Sequence, residues 1–110
     1  IPLYLAVAQM VNNSWNANGN CALVVGATYP DELARVRTVA PDLPILIPGI
    51  GAQGGDVDKT VKSGIDARGA GIIISSSRSI MYASSGLDFA DAARSAAQDC
   101  DSAIRQAAVR

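Results

Sequence analysis

Apolar positions along this chain recur first at helical spacing, then in short unbroken runs, and the switches between the two mark its elements. In residues 2–15, Leu3, Val7, Met10 and Val11 fall near helical spacing, which predicts a buried or half-buried helix that the polar run "NNSWNANGN" (12–20) ends. Three short runs rich in Val and Ile follow: "CALVVGAT" (21–28), "LPILIPGIG" (43–51) and "GAGIIISSS" (69–77). Each is bounded by Gly or Pro and has the form of a strand buried on both faces.

Helical signals separate the runs. Pro30, Asp31 and Glu32 suit a first helical turn, with Thr28 as its cap and Leu33, Val36, Val39 and Ala40 as its apolar stripe. Asp56 is a good N-cap for a short helix through about Ser63, closed by Gly64. After "SSSRSIMYASSG", a long helix from Asp88 carries Phe89, Ala93, Ala96, Cys100, Ala103, Ile104 and Ala107 on one stripe. The order α-β-α-β-α-β-loop-α implies a parallel sheet covered by helices, an α/β fold. An open doubly wound sheet and a portion of a (β/α)8 barrel both fit it. Three βα units are too few to close such a barrel, which takes about 250 residues.

Composition narrows the function classes. A chain of 110 residues, 49% apolar and with a net charge of −1, is expected to form one soluble globular domain. Its nine Lys and Arg residues are dispersed and lack interleaved aromatics, so no nucleic-acid track is expected. "IPLYLAVAQMV" is too short to span a bilayer and has no basic flank, and a chain opening at Ile1 is expected to be processed or cut. Cys21 and Cys100 have no metal-ligand spacing and read as buried thiols of a cytosolic protein. Tyr29 and Tyr82 are expected to pack. There is no His, no nucleophile elbow and no metal-ligand set.

The candidate chemistry is concentrated after the second and third apolar runs. "PGIGAQGGD" (48–56) contains Gly49-x-Gly51-x-x-Gly54, the expression of a dinucleotide-binding turn. The context argues against that use, because Pro48 interrupts the strand, the loop continues through Gly54 and Gly55, and the following helix is short. No acidic residue ends the next strand to take a ribose hydroxyl; Ser75-Ser76-Ser77-Arg78 stands there, at best a reader of a 2′-phosphate. A single phosphate suits the loop better. Glycines such as Gly54 let the backbone approach an anion, Gln53 offers a donor and an acceptor, and Arg78 supplies a forked, charge-assisted contact. Loops after consecutive late strands are where (β/α)8 barrels hold phosphate. The bland alternative is a plain turn beside a surface arginine.

The wording of the motifs goes further than their physics. "LVVGATYPDELARVRTVAPDLPILIPGIGAQGGD", "GAGIIISSSRSIMYA" and "DFADAARSAAQ" closely resemble the C-terminal part of the orotidine 5′-phosphate decarboxylases, in the subgroup common in mycobacteria and related bacteria. The match runs from about Cys21 to Cys100. The resemblance implies the C-terminal portion of a (β/α)8 barrel, about strands 6–8, in a cytoplasmic and homodimeric lyase that converts orotidylate to uridylate without metal or organic cofactor. It assigns Gln53 to phosphate and pyrimidine, Arg78 with the Ser77 backbone N–H to phosphate, and Pro48 and Ile50 to the pyrimidine pocket. The family's Asp-x-Lys-x-x-Asp element is absent from these residues, and Lys59 and Lys62 do not match it. The resemblance therefore implies that no catalytic residue lies in this chain, that an N-terminal half carries them, and that residues 1–110 alone are inactive. Two rival expectations are a phosphate- or nucleotide-binding half-barrel without catalysis and an NADP-dependent oxidoreductase fragment.

Overall fold

A computed structural model of the chain describes residues 1–50 and 56–109. Its elements are α1 (Leu3–Met10) continued by a π-helical turn (Val11–Trp15), β1 (Leu23–Val24), α2 (Pro30–Val39), β2 (Ile45–Ile47), α3 (Val57–Gly64), β3 (Ile72–Ile74), the single-turn α4 (Arg78–Met81) and α5 (Phe89–Ala108). The strands form one parallel sheet in the order β1-β2-β3, with Leu23 opposite Ile45 and Ile45 opposite Ile72. Parallel neighbours joined through helices make this α/β, as the alternation of patterns predicts.

Local signals hold where they are strongest. The Asp56 carboxylate accepts from the Lys59 N–H at 3.0 Å and starts α3, as its cap position predicts. Pro30 opens α2, although Tyr29 rather than Thr28 stands at the cap and no side chain bonds there. Along α5, the Ala93, Ala96, Cys100, Ala103, Ile104 and Ala107 stripe turns inward, while Phe89 at its start is exposed.

Packing overrides two expectations. The strands are not buried on both faces: Ile45 and Ile47 are sealed against the helices, whereas Val24, Leu46 and Ile73, side by side across the sheet, are 68%, 37% and 61% exposed. The described helices cover one side only, so the side chains that alternate to the other side are bare. In α1 and the turn that continues it, Leu5, Ala8 and Val11 face the core while Leu3, Val7 and Met10 of the expected stripe face outward. That segment is apolar on nearly all sides, so periodicity could not select the packed face. Cys21 and Cys100 are half-buried free thiols rather than buried ones, and Tyr29 and Tyr82 are exposed rather than packed.

The main core lies between the sheet and α1, α2 and α3, with Leu33, Val36, Ile45, Ile47 and Ile50 among its sealed members. A second cluster joins α3 to α5 through Val61, Ile65 and Ala107. Where the strands begin, Arg37 of α2 is buried, an outcome the dispersed charge pattern does not predict. Its Nε donates to the Gly64 carbonyl at 2.6 Å, Nη1 to Leu43 and Ala40 at 2.7 and 3.0 Å, and Nη2 to Gly71 at 3.0 Å. One side chain thus ties the end of α3 to the approaches of β2 and β3. Burial pulls the guanidinium below its usual range and the charge of Asp66 opposes that pull. Gly71 sits in this cluster with φ of 81°, and a Cβ there would come within 2.7 Å of the Asp66 carboxylate.

Candidate functional site

The loops of interest leave the opposite end of the sheet. After β2, Pro48 is half-buried and cannot extend the ladder through an N–H of its own, but its carbonyl accepts from the Ala27 N–H at 2.9 Å. Gly49 then turns the chain with φ of 96°, a conformation that favours glycine, and Ile50 drops back into the core at 4% exposure. After β3, the Ser75 N–H donates to the Ile47 carbonyl at 3.1 Å, and the Ser76 hydroxyl donates to the Ile50 carbonyl at 3.4 Å. Three strand ends are therefore brought together at one end of the sheet.

The predicted site residues divide into three groups in this frame. Ser77 and Arg78 are exposed where β3 gives way to α4, and the Arg78 guanidinium has no hydrogen bond or ion pair to another described residue. Pro48 and Ile50 lie at the base of the preceding loop, with the Ile50 side chain packed in the core and its carbonyl turned toward Ser76. Gln53 and Gly54 lie outside the described residues. The geometry can present a forked cation and backbone N–H groups to a small anion arriving at the strand ends. Lys59 and Lys62 follow on α3, where Lys62 is spent on an exposed pair with Asp58 at 2.9 Å.

Sequence reading named Ser76 only within the run Ser75–Arg78 and gave it no contact with the preceding loop, whose Ile50 carbonyl its hydroxyl reaches. Its signal was available in the run of three serines at a strand end, where a short hydroxyl can bond locally to neighbouring backbone. An apolar groove of about 590 Å³ lies elsewhere, along the open edge of β1, lined among others by Leu3, Tyr4, Val7, Val24 and Glu32. It contains none of the predicted site residues, and its chemistry is that of an uncovered sheet edge rather than of an anion site. No group of three His, Cys, Asp or Glu side chains comes together among the described residues, and no helix there is long and apolar enough to cross a membrane.

With that geometry in hand, comparison with known proteins is informative. No family model matches the chain. The orotidine 5′-phosphate decarboxylase of Azoarcus sp. (strain BH72) is 58% identical over 102 residues, 93% of this chain and 38% of that protein. The protein of the same name from Bordetella petrii is 59% identical over 104 residues, 94% of this chain and 38% of its own length. Among solved structures, the Leishmania donovani OMP decarboxylase superposes with a TM-score of 0.77 at 39% identity, over 96% of this chain and 40% of that one. The chain spans about 38% of the length of the curated relatives it matches. Its helix-covered parallel strands have the fold of part of a (β/α)8 barrel.

Proposed function

We propose that this chain is the C-terminal, phosphate-binding portion of an orotidine 5′-phosphate decarboxylase, which converts orotidylate to uridylate in pyrimidine synthesis. The observation that carries the reading is the meeting of the segments after β2 and β3 at one end of the sheet, with Arg78 exposed, its guanidinium bonded to no other described residue, two residues after the Ser76 that bonds the Ile50 carbonyl. Similarity to proteins named for that activity supports it. The wording of the motifs supports membership of the subgroup common in mycobacteria.

In this reading Arg78 and the Ser77 N–H hold the substrate phosphate, Gln53 reaches phosphate and pyrimidine, Gly54 admits the anion, and Pro48 and Ile50 shape the pyrimidine side. Binding energy gained at the phosphate, far from the carbon that loses carbon dioxide, positions that carbon and favours closure of the site. The Asp-x-Lys-x-x-Asp element that performs the chemistry is then supplied by an N-terminal half, and residues 1–110 alone bind without turning over. The bare face of the sheet supports such a partner. The chain's accessible surface is 6951 Å², against roughly 5,700 Å² for a compact monomer of this mass. We assign the assembled enzyme to the cytoplasm and to a homodimer.

The test is a pair of ligand titrations on the full-length gene product. Arg78→Ala is expected to weaken uridylate binding by about ten- to a hundredfold, the worth of a hydrogen-bonded charge, while leaving uridine binding unchanged. Equal losses for both ligands would remove the phosphate role, and tight NADPH binding without uridylate binding would overturn the reading as a whole.

A further inference from the structure

We infer that the open edge of β1 is a docking site for one strand, the one that precedes α1 in the full-length gene product, and that the site takes up the upstream portion even when it is supplied as a separate chain. The inference rests on the reading above that such a portion exists. Half of the β1 backbone is already in use. The Leu23, Val25 and Ala27 N–H groups donate to the Pro44, Leu46 and Pro48 carbonyls at 3.0, 3.0 and 2.9 Å. Alternate residues of a parallel ladder bond to opposite neighbours, so the N–H and C=O groups of Val24 and Gly26 face the open edge, and both residues are exposed.

An edge left to solvent is normally blunted by charge, Pro or a bulge. The β1 segment "CALVVGAT" (21–28) carries neither charge nor Pro. Beside it runs the apolar groove lined by Leu3 and Val7 of α1 and by Val24, which also begins the bare stripe that continues through Leu46 and Ile73. Chain direction says what covers this edge. α1, α2 and α3 pack on one face of the sheet, and β1, β2 and β3 follow one another in sequence order. Crossovers between parallel strands are right-handed in about 98% of cases, so with every helix on that face each earlier strand lies on the same side of the next. α1 leads into β1 as α2 leads into β2, which puts the strand before α1 at the free edge of β1. The relatives are long enough to supply it, since this chain spans only 38% of their length. The accessible surface of 6951 Å² exceeds that of a compact monomer by roughly 1,200 Å², more than the ~800 Å² that each partner buries in a stable interface.

Hydrogen exchange at single amides reads the edge directly. The Val24 and Gly26 N–H groups are expected to exchange at least about a hundredfold more slowly in the full-length gene product than in residues 1–110 alone, with Leu23 and Val25 protected in both. Equal exchange at Val24 and Gly26 in the two proteins overturns the inference, and so does loss of protection at Leu23 and Val25 in residues 1–110, which would mean that no preformed site exists. Slow exchange at Val24 and Gly26 in residues 1–110 that sediment as a dimer would assign the edge to a second copy and overturn it too.

Mixing tests uptake from a separate chain. The upstream portion, expressed by itself, should sediment as a one-to-one complex with residues 1–110. Val24→Lys should weaken that complex at least about tenfold and leave the unfolding midpoint of residues 1–110 unchanged, because the side chain it replaces is 68% exposed. No complex, or one indifferent to Val24→Lys, overturns the docking claim. Decarboxylation by the uncut gene product keeps the two levels apart. If the uncut protein turns over orotidylate and the portions do not join, only docking fails; if it neither binds uridylate nor turns over orotidylate, the functional reading fails, and exchange and sedimentation still decide docking.

Discussion

Two arginines stand at opposite ends of one three-stranded sheet. Where the strands begin, Arg37 is buried and donates to the carbonyls of Gly64, Ala40, Leu43 and Gly71. Where they finish, Arg78 is exposed and its guanidinium bonds to no other described residue. The difference is one of commitment. A buried guanidinium bonded to four backbone carbonyls cross-links chain segments and is closed to a ligand, whereas an exposed one at a loop junction can give its fork to an arriving anion. The same division between a stabilising end and a ligand-binding end is general to (β/α)8 barrels.

The comparison breaks most readily at Arg37. Arg37→Met should cost about 3–5 kcal/mol in urea unfolding, because it leaves several buried carbonyls and the nearby Asp66 carboxylate without the cation. Arg78→Ala should change the same measurement by less than about 0.5 kcal/mol. Equal stabilities for the two variants would mean that the ends do not differ in the way proposed.

A smaller effect, tied to pH, sharpens the account of the buried end. The Ala70 N–H holds the Asp66 carboxyl below the ordinary carboxylate range; burial works against this, and Arg68 adds to it through its side chain and N–H. The folded-state value is thus lower than the unfolded one, so the contribution is complete above the unfolded value of about 3.9 and is lost as pH falls through the folded one. Asp66→Asn should therefore be less stable than wild type at neutral pH, and the gap should close in acid. A gap that stays constant from neutral pH down to about pH 2 would separate Asp66 from this linkage.

A modest effect is expected at the helix that Asp56 caps. Asp56→Ala removes a single exposed cap bond and should cost about 1 kcal/mol, read as a shift in the urea midpoint. A much larger loss would mean that the ligand-side end carries more of the fold's stability than Arg78 and its neighbours indicate.

Much of this architecture was legible because the deciding signals are local. Asp56 caps α3 through a bond to a residue three positions away, and the small-residue stripe of α5 repeats within every two turns. The positions of Ser77 and Arg78 were legible for a related reason: a parallel α/β arrangement puts residues that follow consecutive strands at one end of the sheet. Arg37 was not legible. In sequence it is one of nine dispersed cations, and its burial depends on carbonyls brought to it from as far as Gly71, 34 residues away. The bond that Ser76 makes was not legible either, because its partner Ile50 lies 26 residues back on another loop.

The amino-acid sequence alone thus determined the order of elements, the parallel α/β class, the cap of α3 and the two loops where an anion contact is proposed, since each follows from capping, periodicity or chain direction over a few residues. Only the tertiary structure decided which face of α1 packs, that the Val24, Leu46 and Ile73 face of the sheet is bare, which arginine is locked in the interior, and that a serine hydroxyl joins the loops. These outcomes depend on what lies across from a side chain rather than beside it in the chain, and burial and hydrogen-bond completion are set by those distant neighbours.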